Sequence, residues 1–238
     1  MAGARREHHK QRRLRLRRIT WEEPGLVWAM DPTQLNRSPL QRVMDLASRY
    51  QFDPLDKRHL TGTCVAAHLQ GLFQRYGAPL VLKRDNGGNL NTPEVNAVLA
   101  RWQVLPLNSP CAYPPFNGGI ERSQREIKEA ASLACSLDEC RDAVALTHAA
   151  NHRPRPVLRG ATAAQVFAQC AQNLAVYTSE KRKEITNWIE DATKATLLAM
   201  KSNSTLNRQR AYRRAVEHVL VKLGIISINT NNNRHPIP

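Results

Sequence analysis

Two apolar runs in this chain stop on an aspartate. VWAM ends at Asp31, and PLVL runs through Lys83-Arg84 to Asp85, where Asn86-Gly87-Gly88 follows. A short apolar run bounded by turn residues has the length of a buried strand and is too short for a core helix. An acid beside a proline or a glycine pair then sits where a strand leaves its sheet. A third acid, Glu121, opens a helical stretch directly after Asn117-Gly118-Gly119. Carboxylates from neighbouring strand ends and a facing helix can share one pocket, so the fold must bring these three segments together.

The segments between them alternate in period. GTCVAAHLQGLFQRYGAP (62–79) carries Val65, Ala66, Leu69, Leu72 and Phe73 at helical spacing, and Gly77 and Pro79 stop it. Thr92-Pro93 caps and opens a second helix over EVNAVLARW. LQRVMDLASRYQF (40–52) supplies one or two strands with a turn near Ser48-Arg49, and QVLPLNSP (103–110) supplies another. A long helix is expected from about 119 to 135, and a further one over 137–150. Strands first, then strands alternating with helices, imply an α/β sheet covered by helices on both faces. Three regions follow: a basic N-terminal arm at 1–20, a core at 21–170, and a basic, mainly helical C-terminal region at 171–238. In the last region NRQRAYRRAVEHVLVKLGI and KRKEITNWIEDATKATLLAMK read as two helices, and the final dozen residues as loose chain or an edge strand.

The formal net charge of +15 at pH 7 predicts a polyanionic partner, with nucleic acid ahead of a membrane surface. No run of eighteen apolar residues exists and no signal-peptide core follows the basic start, so the expected location is the cytoplasm. Five cysteines without a Cys-x-x-Cys pair fit free thiols, and His8-His9 lacks the partners of a zinc site.

Three carboxylates in one pocket repel one another and need cations between them. Hard oxygen ligands select Mg²⁺ or Mn²⁺. Two such ions roughly 3.5–4 Å apart activate a hydroxyl and stabilise the departing oxygen in an in-line phosphoryl displacement. Asp45, Asp53, Asp56, Glu94 and Glu126 are read instead as ordinary surface acids.

Five ordered blocks now carry a resemblance: VWAMDPT, VMDLASR, YGAPLVLKRDNGG, SPCAYPPFNGGIERSQREIK, and NHRPRPVLRGATAAQVF at 151–167. Over about residues 24 to 168 the chain resembles the catalytic core of the DDE transposases and retroviral-type integrases. It is most similar to bacterial insertion-sequence transposases. Thirty-five residues separate Asp85 from Glu121, the family's D,D-35-E spacing. The resemblance implies an RNase H-like fold, a mixed five-stranded sheet with flanking helices. It implies that Asp31, Asp85 and Glu121 are the metal-binding catalytic triad, that Asn117 shapes the active-site loop, and that Lys128 meets the DNA end. The implied reaction is nicking at an element's ends, then attack of the freed 3′-hydroxyl on target DNA. Homo-oligomers on DNA follow from joining two ends to one target.

The residues agree with that assignment from below. Glu121, Arg125 and Lys128 fall at i, i+4 and i+7, one helix face offering a metal ligand and two phosphate-seeking cations. Ile120, Ile127, Ala131 and Ala134 form the packing face. Arg208, Arg210, Arg213 and Arg214 make a second DNA-binding candidate, while Arg122, Arg153 and Arg155 fit phosphate contact or packing equally. Gly87-Gly88 and Gly118-Gly119 permit tight turns with φ > 0 or a close approach. No phosphate-binding Gly-Lys-Ser/Thr loop is present, so ATP use is not implied. The chain departs from the family in three places. Only about twenty residues precede the core, so end recognition falls to the C-terminal region or a separately encoded polypeptide. QFDPLDKRH makes a poor third strand, and Asn89 stands where relatives carry an acid nearby. Two other readings therefore stand beside transposase: a truncated remnant that binds DNA without completing transposition, and an RNase H-like nuclease.

Overall fold

The computed structural model describes residues 17–35, 38–109, 118–136, 142–200 and 204–230. At its centre β2 (Val27–Leu35) and β3 (Ser38–Asp45) form an antiparallel pair running from Trp28↔Asp45 to Leu35↔Ser38. β5 (Val81–Arg84) lies parallel to β2 on its other side, with Val27↔Val81 and Met30↔Arg84, and β6 (Leu105–Asn108) extends β5 in parallel. β4 (Leu55–Asp56) is two residues long and closes the other edge through Leu40↔Asp56. The result is a five-stranded mixed sheet, β4-β3-β2-β5-β6, the RNase H-like architecture expected. The poor third strand of QFDPLDKRH is this stub, preceded by one bridge, Met44↔Gln51. Pro106 is tolerated because β6 is an edge strand.

The sheet's faces are set by alternation. Trp28, Met30, Val43 and Leu82 face α1 (Gly62–Tyr76) and α2 (Pro93–Arg101), burying Val65, Leu69, Phe73, Val95 and Leu99. Thr61 and Thr92 cap these helices through Cys64 N–H and Val95 N–H. Val27, Ala29, Met44 and Val81 face the opposite way. They meet Ile120 of α3 (Gly118–Ser136), and Ile185 and Ile189 of α7 (Ser179–Met200), with Val216, Val219 and Leu220 of α8 (Thr205–Lys222) beside them. Between lie α4 (Ala143–His152), which packs on α3, then α5 (Ala163–Phe167) and α6 (Cys170–Ala175).

Of the basic leading segment, residues from 17 onward belong to β1 (Arg17–Trp21), which pairs antiparallel with β7 (Ile226–Thr230). Ile19, Trp21 and Ile228 rest on the same apolar cluster as α7 and α8. The edge-strand reading of the tail holds for 226–230.

Two expectations are corrected. Asp31 lies inside β2, because the hairpin with β3 continues four residues beyond it. What ends near Asp31 is the parallel pairing, since Met30↔Arg84 is the last β2–β5 pair. Asp45 and Glu126 are also not surface acids. Asp45 is fully buried and accepts hydrogen bonds from Gly25 N (2.9 Å), Ser48 N (2.8 Å) and Ser48 Oγ (2.5 Å). Glu126 is paired with Arg153 and Arg155.

Candidate active site

The β2–β5 register builds the site. One step beyond Met30↔Arg84 the next residues on the two strands are Asp31 and Asp85. Below Asp85 the buried Arg84 side chain locks the strand end. It donates to Asn108 Oδ1 (2.9 Å), Leu90 O (2.6 Å) and Asn96 Oδ1 (2.7 Å), tying β5 to β6 and to the start of α2. Asp85 turns its carboxylate back on its own loop, accepting from Gly87 N at 2.7 Å. Asn91 Nδ2 donates to Asp85 O and Gly87 O, closing that loop. A Cβ on Gly87 would stand 2.8 Å from Asp85 Oδ1, so a side chain there would displace the Asp85 carboxylate from its present position; the glycine's φ is −56°.

Glu121 stands exposed in the first turn of α3, a favourable place for an anion. One turn on, Gln124 Nε2 donates to Asp31 Oδ2 at 2.8 Å. The Asp31 carboxyl is pushed up to about 6, chiefly by burial and then by the charges of Asp85 and Glu121, against the Gln124 hydrogen bond and the Lys83 charge. Asp31 therefore lies within the fields of Asp85 and Glu121. Among the described residues, however, no three His, Cys, Asp or Glu side chains are arranged to hold a metal ion. The oxygen donors suit Mg²⁺ or Mn²⁺, but Asp31 and Asp85 are engaged with Gln124 and Gly87.

Sequence reasoning missed Gln124 and Lys83. Lys83 is buried beneath the acids, and burial pushes its ammonium down to about 7 against the pull of Glu121, Glu217 and Asp31. Its Nζ lies 5.8 Å from the centre of the Trp21 ring. The signal was available: a lysine inside an apolar strand two residues before Asp85 faces the same side as the packed Val81.

The other expected residues are placed as follows. Arg125 and Lys128 are exposed on α3, on the flank that carries Glu121. Arg208, Arg210 and Arg214 are exposed on α8. Arg213 is half-buried and its Nε donates to Asn108 O (3.3 Å), docking α8 on β6. Asn117 and His8-His9 lie outside the described residues. Cys64 and Cys170 are free thiols. No helix among the described residues is long and apolar enough to cross a membrane.

No protein-family model matches the chain. Over 179 residues it is 27% identical to the Pol polyprotein of radiation murine leukemia virus (strain Kaplan), a match covering 71% of this chain and 30% of the viral protein. The chain thus spans less than a third of that relative's length. Among solved structures, the catalytic core domain of BIV integrase superimposes with a TM-score of 0.52 at 19% identity, covering 63% of this chain and 97% of that one. The simian T-cell lymphotropic virus intasome, solved with PP2A regulatory subunit B56 gamma, gives 0.55 at 17% identity, covering 62% and 56%. The chain is built on the fold of the retroviral integrase catalytic cores.

Proposed function

We propose that this chain is a DNA transposase or integrase of the bacterial insertion-sequence type, a polynucleotidyl transferase whose Asp31, Asp85 and Glu121 hold two Mg²⁺ or Mn²⁺ ions. The observation that carries the reading is the strand register, which ends at Met30↔Arg84, one residue before Asp31 and Asp85, with Gln124 of α3 bonded to Asp31. The fold of the integrase cores and the net charge of +15 support it. Bound there, the ions would supply activation of a hydroxyl and neutralisation of charge at the phosphoryl group.

The chain's own residues define the rest. Gln124 orients Asp31. Lys83 sets a cation beneath the carboxylates and offsets part of their repulsion. Arg125 and Lys128 extend the Glu121 flank with exposed cations for the DNA backbone. Asn117 is carried as the residue shaping the active-site loop. On the same reading the working form is a homo-oligomer on DNA in the cytoplasm, with end recognition by α8 arginines or by a separately encoded polypeptide.

A nicking and strand-joining assay on duplex with the flanking element ends, in Mg²⁺ or Mn²⁺, tests the proposal. Wild type is expected to give metal-dependent products and Glu121→Gln none, with DNA affinity retained. Equal nicking by E121Q would sink it. A DNA-binding remnant without chemistry is the second reading. It is favoured by the engagement of Asp31 and Asp85 with protein donors, and it predicts tight binding without products from wild type.

A further inference from the structure

α3 has two charged flanks. One carries Glu121, Arg125 and Lys128; the other carries Arg122, Glu126 and Glu129 and borders a cavity of about 860 Å³. Its wall runs from β1 and the end of β3 across the α3 N-terminus to the segment after α4, and Arg49, Lys83, Arg122, Arg125, Arg153 and Arg155 line it. Against these six cations stand two carboxylates, Glu126 and Glu129. Glu126 is already shared by Arg153 and Arg155.

Arg49 is held in place by the backbone. It sits in the left-handed region at φ 65°, in the turn closed by Asp45. Its Nη1 lies 3.1 Å from where a Cβ on Gly119 would stand, so the glycine lets the guanidinium lie across the first turn of α3. There burial pushes it below the usual guanidinium value, and the charges of Arg122 and Arg155 add to that against the pull of Asp45. The acid whose charge acts on Arg49 is Asp45, whose carboxylate already accepts three hydrogen bonds. Two residues of the cavity wall carry buried donors without a partner, an independent sign. Gln51 is 1% exposed, its Oε1 accepts from Arg42, and its Nε2 has no partner among the described residues. Arg155 Nε has none either. Converging guanidinium groups, unpaired donors and a helix N-terminus together form a polar wall complementary to an anion.

We propose that this cavity is a phosphate-binding site formed by Arg49, Arg122 and Arg155 with Gln51, beside the Glu121 face of α3. The ligand chemistry is a phosphate oxyanion, drawn either from a sugar-phosphate backbone or from a free polyphosphate. The first sixteen residues of the chain hold one acid, Glu7, so they offer no matching anion. The site does not depend on the acids being catalytically active.

The test is calorimetric titration of sodium tripolyphosphate into the full chain without divalent metal. Wild type is compared with R122E, the neutral R122Q, and R101E, a charge-matched change on α2 across the sheet. Melting curves establish that each variant is folded, and Arg122 and Arg101 are exposed, so both positions tolerate replacement. Affinity is expected to fall about tenfold in R122E and R122Q and to stay within about twofold in R101E. Equal losses in R122E and R101E, or no loss in either Arg122 variant, would overturn the site. Displacement of tripolyphosphate by a short duplex assigns the backbone as source; Arg122-dependent binding that duplex does not displace assigns a free polyphosphate. Nicking by wild type and R122Q is read separately: lost tripolyphosphate binding in R122Q reports on this site alone, and absent nicking by wild type reports on the nucleotidyl-transfer reading alone.

Discussion

Asp45 organises its turn as a single buried carboxylate, receiving Gly25 N–H, Ser48 N–H and the Ser48 hydroxyl where no water reaches. Replacing it by alanine leaves those donors unpaired in the interior, at about 1–3 kcal/mol each before relaxation. Asp45→Ala is therefore expected to cost about 3 kcal/mol in urea denaturation; a loss within experimental error would mean the turn is held by its backbone alone. Asp31 poses a different problem. Its carboxyl is pushed up to about 6 in the fold from the ordinary 3.8 of an aspartate, so the folded state favours the protonated form. That contribution is full below pH 3.8 and is lost as pH rises through 6. In metal-free buffer Asp31→Asn should melt a few degrees above wild type at pH 7.5, with the gap closing toward pH 4. Added Mg²⁺ should raise the wild-type melting temperature and leave D31N unmoved; an equal rise in both would place the cation elsewhere. Asp31, Asp85 and Glu121 stood out in the sequence because each follows or precedes a proline or a glycine pair. Lys83 carried a signal as a lysine inside an apolar strand, while Gln124 carried none, since its meaning arises only when α3 meets Asp31.

At the scale of elements, helices with a one-sided apolar pattern were legible with their caps, as Thr92 before α2 illustrates. β1 was not, nor was the partner of the tail strand β7, because the two pair across some two hundred residues, Arg17↔Thr230 to Trp21↔Ile226. The glycine pairs show the same limit. Sequence allowed either positive φ or close approach, and geometry selected close approach at Gly87 and Gly119. How α7 meets the core was equally hidden, for it depends on Arg182. This buried guanidinium donates to Ala78 O (2.6 Å), Pro79 O (2.7 Å), Gln103 O (3.4 Å) and Tyr177 O (3.0 Å), stapling α7 to the chain entering β5 and to the end of α2. Methionine there keeps much of the volume and none of the donors. Arg182→Met is expected to cost about 3 kcal/mol by leaving several carbonyls unpaired. Hydrogen exchange should quicken across α7 and α8 while α1 stays protected. A uniform rise over the whole chain would contradict the local staple.

The whole molecule turns on what covers the second face of its sheet. Read as sequence, residues 171–238 form a region beside the core; in the fold α7 and α8 lie on the face that presents Val27, Ala29, Val81 and Leu107. Ile185, Ile189, Val216, Val219 and Leu220 are each at most 3% exposed there. Burying one such side chain contributes about 1.5–3 kcal/mol, so five contribute on the order of 10 kcal/mol. That equals the net stability of a typical domain, about 5–15 kcal/mol. A chain cut after Thr178 would expose that apolar strip while keeping Asp31, Asp85 and Glu121. It is expected to bind a hydrophobic dye and to elute as aggregate in sizing chromatography, whereas the full chain gives a discrete species. Should the shortened chain run as a stable monomer with a cooperative melt near that of the full chain, α7 and α8 would be an appendage, and the sheet would hold its second face closed by α3 alone. The predicted aggregation instead makes the C-terminal helices part of the platform on which β5 presents Lys83 and Asp85, so that substitutions in α8 are felt at the acids through Glu217 and Arg213.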